Sequence, residues 1–117
     1  MKILYLSYFA APQIFDKICA ANLDPSVARQ NYDEVLIRNL LSSEHISFDD
    51  IEIISYLPYD NQLGKVPDED VYLGKKISYV WTKRKNPITI IKAVQRVRKL
   101  VNIWLKKTSG EKRIILT

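Results

Sequence analysis

The chain has 117 residues, 47% of them hydrophobic, which fits one globular domain with its own core and excludes a disordered chain. Its single cysteine, Cys19, excludes an intramolecular disulfide, and no window approaches the roughly 18 apolar residues of a spanning helix, so the cytoplasm is the expected compartment. The net charge of +5 is unevenly spread: residues 83–117 hold eleven Lys/Arg against Glu111 alone (+10), whereas residues 1–82 hold seven against twelve acids (−5), which aims the basic part at an anionic partner.

The run Lys2-Ile3-Leu4-Tyr5-Leu6-Ser7-Tyr8 is too short for the apolar region of a signal peptide. It reads as a strand buried on both faces, the habit of parallel sheets. Residues 9–22 have no clean period and are interrupted by Pro12. They read as a loop of about a dozen residues, long for a strand-to-helix connection and so a candidate for function. In Asp24-Pro25-Ser26, Asp24 serves as N-cap and Pro25 as the first helical residue of a helix through VARQNYDEVLIRNLLSS. At 100° per residue Ala28, Tyr32, Val35, Leu36 and Leu40 share one arc, while Arg29, Asp33 and Arg38 lie away from its middle.

Asp49-Asp50 precede a second strand, Ile51 to Leu57, which Pro58 stops. Residues 58–76 carry two prolines, two glycines and the acid cluster Asp68-Glu69-Asp70, and read as a loop. Ile77 to Trp81 is a short third strand, and Thr82 to Pro87 a basic turn. A helix over 88–107 places Ile90, Ile91, Val94, Val97, Val101, Trp104 and Leu105 on one face and Lys92, Arg96, Lys99 and Lys106 on the other. Gly110 closes it, and Lys112 to Thr117 begins a fourth strand. The order β-α-β-β-α-β predicts a Rossmann-like three-layer α/β fold with a mostly parallel sheet. A strand such as RIILT is normally covered by a following helix, so residues 1–117 are expected to be one partial domain, incomplete at the C-terminus.

Open α/β sheets bind ligands beyond the carboxyl ends of their strands. That marks Ser7, Tyr8 and Phe9 at the first strand tip, with Ser26, Val27 and Gln30 at the first helix start, as substrate-binding candidates. Free N–H groups there attract anions, although an Asp24 cap already uses that potential. A plain loop folded over the sheet edge is the alternative. Residues 9–30 contain no glycine, which argues against a dinucleotide fingerprint, and no cofactor is expected. His45, the only histidine, reads as a solvated loop residue, and Cys19 as a packing residue. No cluster has metal-ligand spacing, and Asp68-Glu69-Asp70 reads as a solvated acidic loop. Lys92, Arg96 and Lys99, at i, i+4 and i+7 and extended by Lys83-Arg84-Lys85, form either a solvated face or a contact for anionic lipid headgroups. Nucleic acid ranks last, because the interleaved aromatics of single-strand binders are missing.

The opening "MKILYLSYFAAP", the helix "PSVARQNYDEVLIRNLL" and the later "IEIISYLP" and "RIILT" resemble the N-terminal domain of bacterial glycosyltransferases of the GT-B architecture. In that pattern Ser26 or Ala28 takes the small position at the helix start, and Val35 to Leu41 the apolar run. The glycine-rich version of the first loop is missing here. The resemblance implies a truncated N-terminal domain that mainly holds a polysaccharide or lipid-linked acceptor. The nucleotide sugar and an E-x7-E carboxylate pair would belong to a missing C-terminal domain. It also implies no catalytic residue and no transfer activity in this chain alone, and peripheral attachment at the inner face of a membrane. A non-enzymatic flavodoxin-like binding module and a basic membrane or nucleic-acid interaction domain are the alternatives.

Overall fold

The computed structural model describes residues 1–23, 26–43, 50–83 and 86–117. The expectations placed on Asp24, Pro25, His45, Asp49, Arg84 and Lys85 lie outside the described residues. In chain order the elements are β1 (Lys2–Ser7), α1 (Pro12–Ala20), α2 (Val27–Leu41), β2 (Ile51–Pro58), β3 (Glu69–Tyr72), β4 (Lys75–Thr82), α3 (Pro87–Lys107) and β5 (Arg113–Leu116). The sheet order is β3-β4-β2-β1-β5. All neighbouring strands pair in parallel except β3, which runs antiparallel to β4 at the edge.

The α/β class and the mostly parallel sheet match the sequence expectation, but the element order does not. The segment expected as a loop over 9–22 contains α1, because Pro12 begins the helix instead of interrupting it. Proline at the first helical position costs nothing, since that N–H has no partner within the helix. Ile14 and Ile18, one turn apart, carry the helix onto the core. The expected loop over 58–76 contains a single 3₁₀ turn at Asn61–Leu63 and the strand β3. Glu69 and Asp70 are therefore strand residues: Glu69 pairs with Lys76 at 3.1 Å, and Asp70 accepts the Tyr79 hydroxyl at 3.1 Å.

Side chains alternate across the sheet. Ile3, Tyr5, Ile53 and Tyr79 point to the α1 and α2 layer, where Phe9, Ile14, Ile18 and Ile37 meet them. Leu4, Ile54 and Val80 point to the α3 layer, where Ala93 and Trp104 are buried. Each aliphatic side chain so buried contributes about 1.5–3 kcal/mol relative to exposure.

Both helix faces read from periodicity need correction. On the expected arc of α2, Leu36 and Leu40 do pack against the core, but Ala28, Tyr32 and Val35 are exposed, and the fully buried residues are Gln30, Asp33 and Ile37. The sheet beneath presents the Tyr5 hydroxyl, so a hydrogen-bonding helix face fits it better than an apolar one. Tyr5 donates to Asp33, and Gln30 brackets the Ala10 peptide, donating from Nε2 to its carbonyl at 2.6 Å and accepting its N–H at 3.1 Å. On α3 the inward face is built on Ala93, Val97, Leu100 and Trp104, at i, i+4, i+7 and i+11, with Val101 and Leu105 beside them, so Val97, Val101, Trp104 and Leu105 face inward as expected. The small Ala93 lets the helix approach the sheet. Ile91 and Val94, expected on that face, are instead exposed.

Candidate functional site

Clefts among the described residues open at the carboxyl ends of the parallel strands, one from β2 toward β1 and another toward β4. The first, about 370 Å³, is lined by Ser7, Tyr8, Arg29, Tyr56, Val97 and Thr117 among others. Its floor is set by strand register. Ser7 stands opposite Ser55, and their hydroxyls are 3.0 Å apart. The Phe9 N–H then donates to the Ser7 oxygen at 3.2 Å, turning the chain sharply out of β1. That turn exposes Tyr8. Its ring meets Tyr56 edge-on at 6.4 Å, and the Arg29 guanidinium lies 5.4 Å from its centre.

Arg29 is held by its own helix. Ser26 caps α2 by accepting the Arg29 N–H at 3.1 Å. Arg29 Nε then reaches both oxygens of Asp33, one turn on, at 3.1 and 3.2 Å. The hydrogen bond to Asp33 raises the Arg29 pKa above its already high value, so it is a permanent cation. Burial, followed by the bond to Asp33, pushes the Tyr5 phenol far above its usual value, so it stays a donor. Both bonds to Asp33 use Nε of Arg29.

The second cleft, about 550 Å³, is lined by Asn22, Tyr59, Asp60, Asn61, Lys83 and Asn86, together with Leu23 and Pro58. Its polar groups come from the ends of four elements. Asn22 follows α1 in the left-handed conformation at φ 54°, a region Asn tolerates better than most residues. Asn86 caps α3 by accepting the N–H groups of Ile88 and Thr89 at 3.0 and 3.4 Å, which leaves its amide NH₂ for another acceptor. Asp60 accepts the Gln62 N–H through one oxygen at 2.8 Å, leaving the second. Tyr59 is fixed by its hydroxyl, which donates to the Gly64 carbonyl at 2.9 Å, and by edge contact with Trp81 at 6.3 Å. The Lys83 ammonium lies 5.8 Å from the Tyr59 ring centre. Amide donors, amide and carboxylate acceptors and one aromatic ring thus surround a cavity at the sheet's carboxyl edge.

A third depression, about 430 Å³, opens at the amino ends of the strands around Lys2, Glu52, Lys76 and Lys107. Its cations are already paired, Lys2 with Asp50, Lys76 with Glu69 and Lys107 with Glu52. It lies at the wrong end of a parallel sheet for ligand binding.

Among the sequence candidates, Ser7 and Tyr8 line the first cleft. Phe9 is fully buried, its ring 5.0 Å from Tyr72, and Gln30 is the clamp on Ala10. Ser26 caps the helix and Val27 is exposed at its start, and neither lines a cleft. Lys92, Arg96 and Lys99 are exposed on α3. Arg29 and Tyr56 were not singled out from the sequence; the i, i+4 spacing of Arg29 and Asp33 was the available signal. Nor were the asparagines, because at element ends they read as turn and cap residues. Cys19 is exposed on α1, and no group of three or more His, Cys, Asp or Glu that could hold a metal ion occurs among the described residues. Likewise no helix among them is long and apolar enough to cross a membrane.

Comparison with protein-family models, with curated proteins and with solved structures found no match to the chain.

Proposed function

We propose that the chain is the Rossmann-like, acceptor-holding part of a glycosyltransferase of GT-B architecture, which moves a sugar from a nucleotide sugar to a polysaccharide or lipid-linked acceptor. The observation that carries this reading is the cleft of Asn22, Asn61, Asn86 and Asp60 around Tyr59. Vicinal hydroxyls of a saccharide both donate and accept, which suits planar amides and a carboxylate, while the apolar face of the ring stacks on an aromatic side chain. The resemblance in the strand and helix pattern supplies the reaction type. In this reading the donor nucleotide sits on a second domain, and residues 1–117 alone carry no transfer activity, since transfer requires both reactants at reacting distance.

The test is to titrate the chain with neutral oligosaccharides and, separately, with a uridine diphosphate sugar, following side-chain amide signals by NMR. Oligosaccharides are expected to shift the Asn22 and Asn61 amides, and Tyr59→Ala to weaken binding at least about tenfold, the scale of one lost ring contact. Binding of the nucleotide sugar at this cleft with no response to saccharides would refute the acceptor role. The second reading, a non-enzymatic module with a basic interaction face, is favoured by one observation, the exposed cations of α3.

A further inference from the structure

The outward face of α3 is unlike the rest of the surface. The helix runs 21 residues and contains six cations, Lys92, Arg96, Arg98, Lys99, Lys106 and Lys107, and no acid. Lys107 pairs with Glu52, but no ion pair joins the other five to any described residue. Interleaved with them are large apolar side chains that the fold leaves in solvent: Ile88 is 63% exposed, Ile91 57%, Val94 50% and Ile103 52%. At 100° per residue Ile88, Ile91, Lys92, Arg96, Lys99, Ile103 and Lys106 fall within an arc of about 140° whose centre lies about 150° from Trp104. The inward face is already satisfied by Val97, Leu100 and Trp104, so these isoleucines have no role in the core.

From this we infer that α3 lies flat on an anionic lipid bilayer, its lysines and arginines at the headgroups and Ile88, Ile91 and Ile103 in the interface. Charge complementarity selects the anion, and the isoleucines select lipid over nucleic acid. Aliphatic side chains gain from leaving water at the acyl boundary, whereas nucleic-acid surfaces reward aromatic stacking, and α3 exposes no aromatic side chain. The arc carries both terms that interfacial helices combine, apolar burial and attraction of about one factor of five per cation at an anionic surface. Asn86, which caps α3, also lines the asparagine cleft, so that cleft adjoins the N-terminal end of the helix proposed to lie on lipid. The inference does not depend on the saccharide reading, and its test does not involve a saccharide.

The experiment is flotation of the 117-residue chain with vesicles of phosphatidylglycerol and phosphatidylcholine, with vesicles of phosphatidylcholine alone, and titration with single-stranded and duplex DNA. The chain is expected to float with the anionic vesicles only. Lys92→Glu, Arg96→Glu and Lys99→Glu together are expected to weaken this at least about 100-fold. Ile88→Ser, Ile91→Ser and Ile103→Ser together leave the charge intact and remove the apolar term, and are expected to weaken it about tenfold or more while leaving DNA affinity unchanged. All six positions are exposed, and far-ultraviolet circular dichroism confirms that each variant remains folded. No flotation with anionic vesicles would overturn the inference. So would flotation that survives the isoleucine changes, or tighter binding to DNA than to vesicles at the same salt.

Discussion

Helices α2 and α3 cover opposite faces of one sheet and are held to it by different contacts. In α3 the inward residues are apolar, as periodicity leads one to expect, although the face is rotated from the expected one and the outward face mixes cations with isoleucines. In α2 the buried face is mixed: Asp33 is 0% exposed beside the equally buried Ile37, and Leu36 and Leu40 pack on the core, while Tyr32 is 62% and Val35 57% exposed. The difference lies in what each helix meets. The sheet gives α3 Leu4, Ile54 and Val80, and gives α2 a phenol, Tyr5, and the turn at Ala10. A second phenol, Tyr72, donates to Glu34 of the same helix at 2.9 Å. The facing surface, not the helix's own hydrophobic count, decides which side is buried.

The sharpest way to separate the two modes is by substitution. Trp104→Ala empties the centre of the α3 layer and is expected to cost about 3–5 kcal/mol in urea unfolding. Asp33→Ala is expected to cost about 3 kcal/mol although it removes no apolar surface, because it strands the Tyr5 hydroxyl and unpairs Arg29. If Asp33→Leu were instead stabilising, α2 would be an ordinary apolar packing helix and the contrast would fail. Alkaline pH gives a smaller effect of the same origin. Burial raises the Tyr5 and Tyr79 phenols above the ordinary value of 10.0, each also bonded to a carboxylate. A raised folded value means their contribution is complete below pH 10 and is lost as pH rises above it. Each phenol should remove up to about 1.4 kcal/mol per pH unit there. Tyrosinate absorbance should show these two ionising only as the chain unfolds; early titration of all seven tyrosines would contradict it. The smallest effect is expected from Tyr32→Ser or Val35→Ser, within about 0.5 kcal/mol, where the periodic reading requires the loss of a core residue.

What the sequence disclosed follows the same line. The strands β1, β2 and β4 were legible because continuous apolar runs bounded by polar or proline residues have few other uses. The span of α3 was legible from a long periodic segment ending before Gly110. Helix α1 was not, because Pro12 was taken as a break where it marks a start. Strand β3 was hidden because Glu69 and Asp70 are poor strand formers held there by Lys76 and the Tyr79 hydroxyl. Of the candidate site, Ser7 and Tyr8 could be placed from the strand tip alone. The asparagine cleft could not, since its members lie between residues 22 and 86 and meet only when the sheet orders the ends of β2 and β4.

The polar seam along α2 also determines how this chain can vary. Apolar contacts tolerate a helix that slips or rotates slightly, but Gln30, Asp33 and Glu34 each answer a fixed donor or acceptor, the peptide of Ala10 and the phenols of Tyr5 and Tyr72. One residue inserted or deleted between Gln30 and Glu34 would turn the rest of the helix by 100° and break the seam at once. Outward positions such as Tyr32 and Val35 are free to drift, while the spacing Gln-x-x-Asp-Glu, 28 residues from Tyr5 to Asp33, is held. Homologues are therefore better aligned on that polar spacing than on the hydrophobic pattern of the helix, part of which, Tyr32 and Val35, faces water in this chain.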